Sequence, residues 1–271
     1  MRRLVIAASI AGLLFIGVGP AAADKLDDIV SAGELRCSVT LDFPPIGFRD
    51  EKNEPVGFDV DYCKDLATSL GVKPVIVETP WADRVPSLIS NRADVSIAAA
   101  SDTLERAQTI GLSIPYMAYV YQTAVRKGSD IKTFDDLKGR KVGTVVSTTN
   151  ESFLLEASKR WNDPKSEHLS LQTEADMFLA LEQGRVDAIV SGSTAVATNV
   201  KSGKYPDIQR GPDAPFPVDY VGIMTPRQEY GLLRYLDLFI NRQVRSGRYK
   251  ELYGKWVGGT APDLTIPGVY R

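Results

Sequence analysis

The sequence predicts an α/β protein of two lobes joined by two extended crossings. Three observations support this. Short β-branched runs alternate with amphipathic stretches, the alternation starts near residue 35 and again near residue 134, and the extended segments Tyr119-Val120-Tyr121 and Pro215-Phe216-Pro217-Val218 bound the second series.

At the N-terminus, Arg2 and Arg3 lead into an apolar run over residues 4–18, and Ala21, Ala22 and Ala23 follow before Asp24. This order of charged, apolar and small residues is that of a secretory signal, so residues 1–23 are expected to be removed by cleavage after Ala23. The run is shorter than the ~20 apolar residues that span a bilayer, and no later segment reaches that length, which predicts a soluble mature chain. No cysteine stands beside the cut to carry a lipid, so the expected location is the periplasm, without a tether.

In the first lobe, residues 35–40 read as a strand, 59–70 as a helix, 75–78 as a strand, 84–90 as a helix and 94–98 as a strand. The second lobe begins with a short helix at 134–137. Strand 141–146, helix 151–160, strand 168–171, helix 174–183 and strand 188–191 follow, the βαβ order of an α/β fold. Residues 220–224 read as a further strand. Residues 231–246 and 249–254 are helical by spacing but too few to form a domain, so they are expected to rejoin the first lobe. The predicted division is 24–120 with 219–271 in lobe 1 and 121–218 in lobe 2.

Composition narrows the function. The chain has 271 residues, 44% hydrophobic and 24% charged, which suits a globular protein and excludes a disordered one. Loss of Arg2 and Arg3 leaves about 30 basic side chains against 34 acidic ones, so the mature charge is about −4. Nucleic-acid binding needs clustered positive charge, and no such partner is expected. His168 is the single histidine, standing in a polar run, so zinc sites, Ser-His triads and Cys-His nucleophiles lack their parts; neither a metal nor a cofactor is expected. Cys37 and Cys63 either bridge, as an oxidising compartment permits, or remain two buried thiols.

Two α/β lobes with two crossings leave a cleft where strand ends and helix N-termini face each other, and helix N-termini attract anions. Thr148-Thr149-Asn150-Glu151 and Asp102-Thr103-Leu104-Glu105 both have the form of a capping box. Arg106, one turn into the helix that the second box starts, can present a planar fork to a carboxylate. Its plainer alternative is a surface arginine paired with Glu105 or Asp102. Trp81, after Pro80, and Phe43, in Asp42-Phe43-Pro44-Pro45, stand where loops would roof the cleft; either can cover a ligand or pack in the core.

These residues and several others resemble the periplasmic solute-binding proteins of polar amino acid ABC importers, over nearly the whole mature chain. The resemblance is carried by Gly57-Phe58-Asp59-Val60-Asp61, Trp81 with Arg84-Val85-Pro86-Ser87-Leu88 before Asp94, and residues 101–106. It continues through Phe134-Asp135-Asp136-Leu137-Lys138-Gly139, Val142-Gly143, Gly184-Arg185-Val186-Asp187-Ala188, Gly247-Arg248-Tyr249 and Tyr253-Gly254-Lys255-Trp256. It implies a type II periplasmic binding fold whose lobes close on a ligand by hinge motion. It further implies that Arg106 clamps the ligand α-carboxylate with help from Ser101 and Thr148, that Phe43 and Trp81 sandwich the ligand side chain, and that Asn150 and Val145 reach the ligand from the second lobe.

One departure bears on the ligand. Relatives with a Gly-Arg-hydrophobic-Asp-Ala strand carry an aspartate five residues beyond that Asp to pair with the ligand ammonium, and here Gly192 stands there. Either Asp219 or Asp42 substitutes, or the ligand is not an ordinary α-amino acid. The expected protein is a non-enzymatic monomer that binds an amino acid or related small carboxylate and delivers it to the membrane permease of an ABC importer. The alternatives on the same fold are a dehydratase acting on cyclohexadienyl compounds and a sensory or accessory module.

Overall fold

The structure, a computed structural model, describes residues 24–264. The export signal read in residues 1–23 lies outside that range, as do residues 265–271. Asp24 caps α1 (Lys25–Ala32), accepting the Leu26 N–H, and also takes the Gly231 and Leu232 N–H groups of a late helix at 2.7 and 2.8 Å. Then come β1 (Glu34–Val39), the short β2 (Asp42–Phe43), β3 (Gly47–Arg49) and β4 (Pro55–Val56), and α2 (Phe58–Leu70). β5 (Lys73–Glu78), a 3-10 turn at Trp81–Asp83, α3 (Arg84–Ile89), β6 (Val95–Ser101), α4 (Leu104–Ala107) and the long β7 (Ile110–Arg126) follow. A second 3-10 turn, Phe134–Leu137, precedes β8 (Lys141–Val145), α5 (Thr149–Trp161), β9 (Glu167–Leu171), α6 (Glu174–Glu182) and β10 (Ala188–Gly192). The chain ends with α7 (Ser193–Ser202), β11 (Ile208–Pro226), α8 (Tyr230–Arg245) and α9 (Arg248–Trp256).

An eight-stranded sheet in the order β5-β1-β6-β11-β7-β10-β8-β9 runs through the molecule, and β2-β3-β4 form a small second sheet. The order explains the two-lobed shape. Parallel trios, β5-β1-β6 and β10-β8-β9, sit at either end, and β7 and β11 pair antiparallel between them. Along that pair the register jumps from Ala214↔Tyr121 to Asp219↔Tyr119, so extra residues of β11 bulge out where the chain crosses from one trio to the other. Pro215 and Pro217 fall in this bulge, where a ladder donor would otherwise be lost. The C-terminal ends of β6, β8 and β10 all face the gap between the trios.

The Gly57-Phe58-Asp59-Val60-Asp61 stretch is scaffold. Gly57 has φ 126, and a Cβ there would meet the Ile46 carbonyl oxygen at 2.4 Å, so no other residue fits. Phe58 is fully buried and stacks on Tyr62 at 5.5 Å within an aromatic cluster that includes Tyr116 and Tyr249. Each such ring removed from water contributes about 2–3 kcal/mol. Asp59 is buried beneath that cluster and accepts the Tyr116 hydroxyl at 2.9 Å; burial holds its carboxyl well above the usual range. Asp61 takes the Lys255 ammonium and the Trp256 indole N–H at 2.6 and 2.8 Å, which ties α9 back onto α2. Cys37 of β1 and Cys63 of α2 are joined by a disulfide, resolving the two readings of these cysteines.

Candidate functional site

Trp81, Arg84, Ser101 and Arg106 project into the gap from the β6 side, with Asp219 and Tyr121 from the crossing strands; Thr148, Asn150, Glu174 and Gly192 meet them from the β8 and β10 side. Phe43, Ala99, Tyr119, Thr149 and Ser191 complete the wall of a small cavity of about 30 Å³. The two sides touch. Arg84 and Arg106 each donate to the Ser147 carbonyl, at 2.7 and 3.1 Å; Thr149 Oγ1 donates to Ser101 Oγ at 2.6 Å; the Glu174 N–H donates to Asp42 Oδ2 at 2.9 Å.

Arginine placement follows from local structure. Thr103 caps α4 by accepting the Arg106 N–H, so the helix starts one residue later than the expected Asp102 box, and Arg106 sits in its first turn. Its Nη1 donates to the Ser101 carbonyl at 3.0 Å. Arg84 lies at the start of α3, donates to the Trp81, Ala98 and Ala99 carbonyls, and has its guanidinium 4.8 Å over the Trp81 ring. Ala99 and Ser147 both have left-handed backbones, φ 46 and 60, turning their carbonyls toward these guanidiniums. Burial, followed by the nearby Arg106, lowers the Arg84 pKa to about 9; burial also lowers that of Arg106, countered by Asp219. Among the described residues, neither guanidinium has a carboxylate within ion-pair distance. A buried Arg84 and a half-buried Arg106 therefore hydrogen-bond to carbonyls, an arrangement that favours an incoming anion.

The acids are arranged differently from one another. Asp219 Oδ2 accepts the Tyr121 hydroxyl at 2.6 Å and the Ser101 hydroxyl at 3.0 Å; burial raises its carboxyl above the usual value. Asp42 accepts the Trp81 indole N–H at 2.9 Å and the Glu174 N–H, and burial raises it too. Glu174, 3% exposed in the first turn of α6, accepts the Ser191 hydroxyl at 2.8 Å on Oε1, while Oε2 has no hydrogen-bond partner among the described residues. Burial, with the nearby charge of Asp42, pushes its carboxyl up to about 8.

Of the residues expected to bind ligand, Phe43, Trp81, Ser101, Arg106, Thr148, Asn150 and Asp219 line the cavity together. Phe43 and Trp81 meet edge to face, centroids 5.2 Å apart. Val145 and Asp42 do not line it. The Val145 side chain is fully buried in the sheet beneath, and its carbonyl accepts Thr148 Oγ1 at 2.6 Å; Asp42 stands behind Trp81 as its hydrogen-bond partner. Thr148 caps α5 as read, though Glu151 reaches back to the Ser147 N–H at 2.9 Å, one residue beyond a reciprocal box. Arg84, Tyr119, Tyr121, Thr149, Glu174 and Ser191 are cavity residues that sequence reasoning did not single out. Arg84 was visible as a cation between Trp81 and Pro86, and Glu174 as an acid opening a helix; neither type of signal distinguishes a cavity wall from an exposed face.

A family model described as bacterial extracellular solute-binding proteins, family 3, matches residues 35–259. The cyclohexadienyl dehydratase of Pseudomonas aeruginosa is 28% identical over 257 residues, 94% of this chain and 94% of that protein. The L-cystine-binding protein of Escherichia coli is 29% identical over 86% of each chain. Among solved structures, the cysteine-binding protein of Campylobacter jejuni superposes with a TM-score of 0.80 at 27% identity, covering 89% of this chain and 96% of that one.

Proposed function

Because the chain belongs to the bacterial extracellular solute-binding proteins of family 3, we propose that it captures an amino acid between its two lobes and hands it to the membrane permease of an ABC importer. In this reading residues 24–120 and 219–271 form one lobe, residues 121–218 the other, and the protein works as a monomer in the periplasm after cleavage of residues 1–23. The observation that carries it is the pair of guanidiniums, Arg84 buried and Arg106 half-buried, that face a small interlobe cavity with carbonyls as their hydrogen-bond partners. A ligand α-carboxylate supplies the missing negative charge, Arg106 offering its fork and Ser101 and Thr148 their hydroxyls.

Closure follows from the same contacts. The Ser147 carbonyl, Thr149 and the α6 N-terminus meet partners across the gap only when the lobes approach, so the closed form is the one with a complete site. Phe43 and Trp81 cover the ligand side chain. A thermal-shift screen of amino acids, opines and organic acids tests the reading, since a compound that binds the native form raises its melting point. Stabilisation by one or more amino acids is expected; indifference to all of them would defeat the assignment.

A second reading is favoured by one specific pair of facts: the similarity to a cyclohexadienyl dehydratase, and a buried carboxylic acid, Glu174, that stays protonated near neutral pH. Such a group can donate a proton to a leaving hydroxide. Turnover of prephenate or arogenate by the purified protein would establish this reading, and binding without turnover would dismiss it.

A further inference from the structure

We propose that Glu174 receives the positively charged amino group of the ligand, taking the place that Gly192 leaves without a side chain. The inference rests on the reading of Arg106 as the carboxylate clamp. Gly192 brings no side chain of its own; a Cβ there would be in ordinary contact with Phe43 Cζ at 3.4 Å and Tyr119 Cδ1 at 3.9 Å. The neighbouring residue, Ser191, instead holds the Glu174 carboxyl at 2.8 Å, so an acid reaches this part of the wall from α6.

Among the described carboxyl groups at the gap, Glu174 is the one that combines an unpartnered oxygen with the absence of a cation acting on it. Asp219 lies in the field of Arg106 and already accepts two hydroxyls; Asp42 lies in the field of Arg84 and accepts two N–H groups. Glu174 has burial, one serine hydroxyl and the acidic Asp42 acting on it, and its Oε2 is unpartnered. A buried carboxyl in a cavity wall with one unpartnered oxygen is poorly compensated until a donor arrives, and an ammonium is the donor that also balances its charge. The ligand class is therefore a zwitterion, its carboxylate on Arg106 and its ammonium on Glu174.

Proton linkage follows. From the elements packed against α6, the titratable groups are Asp42 on β2, Tyr116, Tyr119, Tyr121 and Arg126 on β7, Lys141 on β8, and Glu167 and His168 on β9. Of these, Asp42 raises the Glu174 carboxyl further, and Arg126 binds the Leu181 carbonyl near the other end of the helix. In the closed form, with its carboxyl pushed up to about 8, Glu174 holds a proton at pH 6–7 until an ammonium displaces it. The bound state thus carries fewer protons, so raising the pH strengthens binding, by up to about tenfold per pH unit below 8.

The test is calorimetry with L-arginine, L-histidine, L-glutamine and L-cystine, each beside its counterpart lacking the α-amino group, on wild type, Glu174→Gln, Asp219→Asn and Arg106→Ala. For the amino acid that binds wild type most tightly, Glu174→Gln is expected to lose roughly 30-fold or more, while binding of the deaminated counterpart changes little. Wild-type affinity for the amino acid should climb between pH 6 and 8, and affinity for the counterpart should stay flat. Equal losses for both compounds, no loss, a selective loss confined to Asp219→Asn, or a flat pH profile for the amino acid would overturn the role of Glu174. In each of those cases, loss of both compounds in Arg106→Ala would leave the carboxylate clamp standing. Failure of every compound to bind wild type at millimolar concentration would overturn both.

Discussion

Asp42 offers the clearest view of how closure is stabilised, because it stands outside the cavity yet joins its two sides. Its Oδ1 accepts the Trp81 indole N–H at 2.9 Å, and its Oδ2 accepts the Glu174 N–H, in the first turn of α6, at 2.9 Å. Asp42→Asn keeps one oxygen for Trp81 and turns an amide NH₂ toward the Glu174 N–H, so the cross-gap bond is lost and the volume is kept. A hydrogen bond to a charged group contributes about 1.5–3 kcal/mol, and here it exists only when the lobes are together. Loss of that much from the closed form lowers the closed-to-open ratio roughly 10- to 150-fold and weakens ligand binding by up to the same factor. Calorimetric titration with the ligand found by the thermal-shift screen reads the affinity, and small-angle scattering of the ligand-free protein reads the opening. Affinity within a factor of about two of wild type, together with unchanged scattering of the ligand-free protein, would refute the idea that this contact holds the closed state.

Three further outcomes are expected. Gly57→Ala forces a Cβ within 2.4 Å of the Ile46 carbonyl oxygen at a left-handed position, so urea unfolding should show a loss of about 1–3 kcal/mol or more, against an unchanged midpoint if the clash is relieved. Cys37→Ser with Cys63→Ser removes a link across a separation of 26 residues, for which the chain-entropy relation gives about 3.5 kcal/mol; a melting temperature unchanged in the double variant would contradict it. Trp81→Ala should weaken binding by about tenfold or less, the scale of one aromatic contact, and an unchanged affinity would make Trp81 a packing residue only.

Much of the fold was legible because burial imposes period. The alternation of apolar runs around residues 35–40, 59–70 and 141–146 placed β1, α2 and β8 within a residue or two of their bounds. β7 and β11 were harder to read: in each, only a few residues around the crossing signalled extension, and interruptions such as Ser113 and Pro115, or Gly211 and Pro212, hide strands of 17 and 19 residues. α7 escaped notice because its Ser, Thr and Asn content resembles a loop, while its burial of Ala195, Val196 and Asn199 is a matter of tertiary packing. At the site, Arg106, Trp81 and Phe43 were visible by residue type and position. Glu174 was not: an acid in the first turn of a helix is ordinary dipole chemistry, and its burial comes from Ser191 and Asp42, distant in sequence. Val145 shows the reverse, a strand-end residue near the cavity whose side chain the sheet turns into the core.

Titration of wild type and Arg106→Ala with the same amino acid, in a calorimeter and at matched protein stability, tests the central claim most directly. Removing the guanidinium from a buried ion pair is expected to weaken binding by about 2–5 kcal/mol, which moves a micromolar ligand to a Kd of roughly 30 μM to 5 mM. Near-normal affinity in Arg106→Ala would contradict it, because a negative end seated elsewhere would not notice the loss of that side chain.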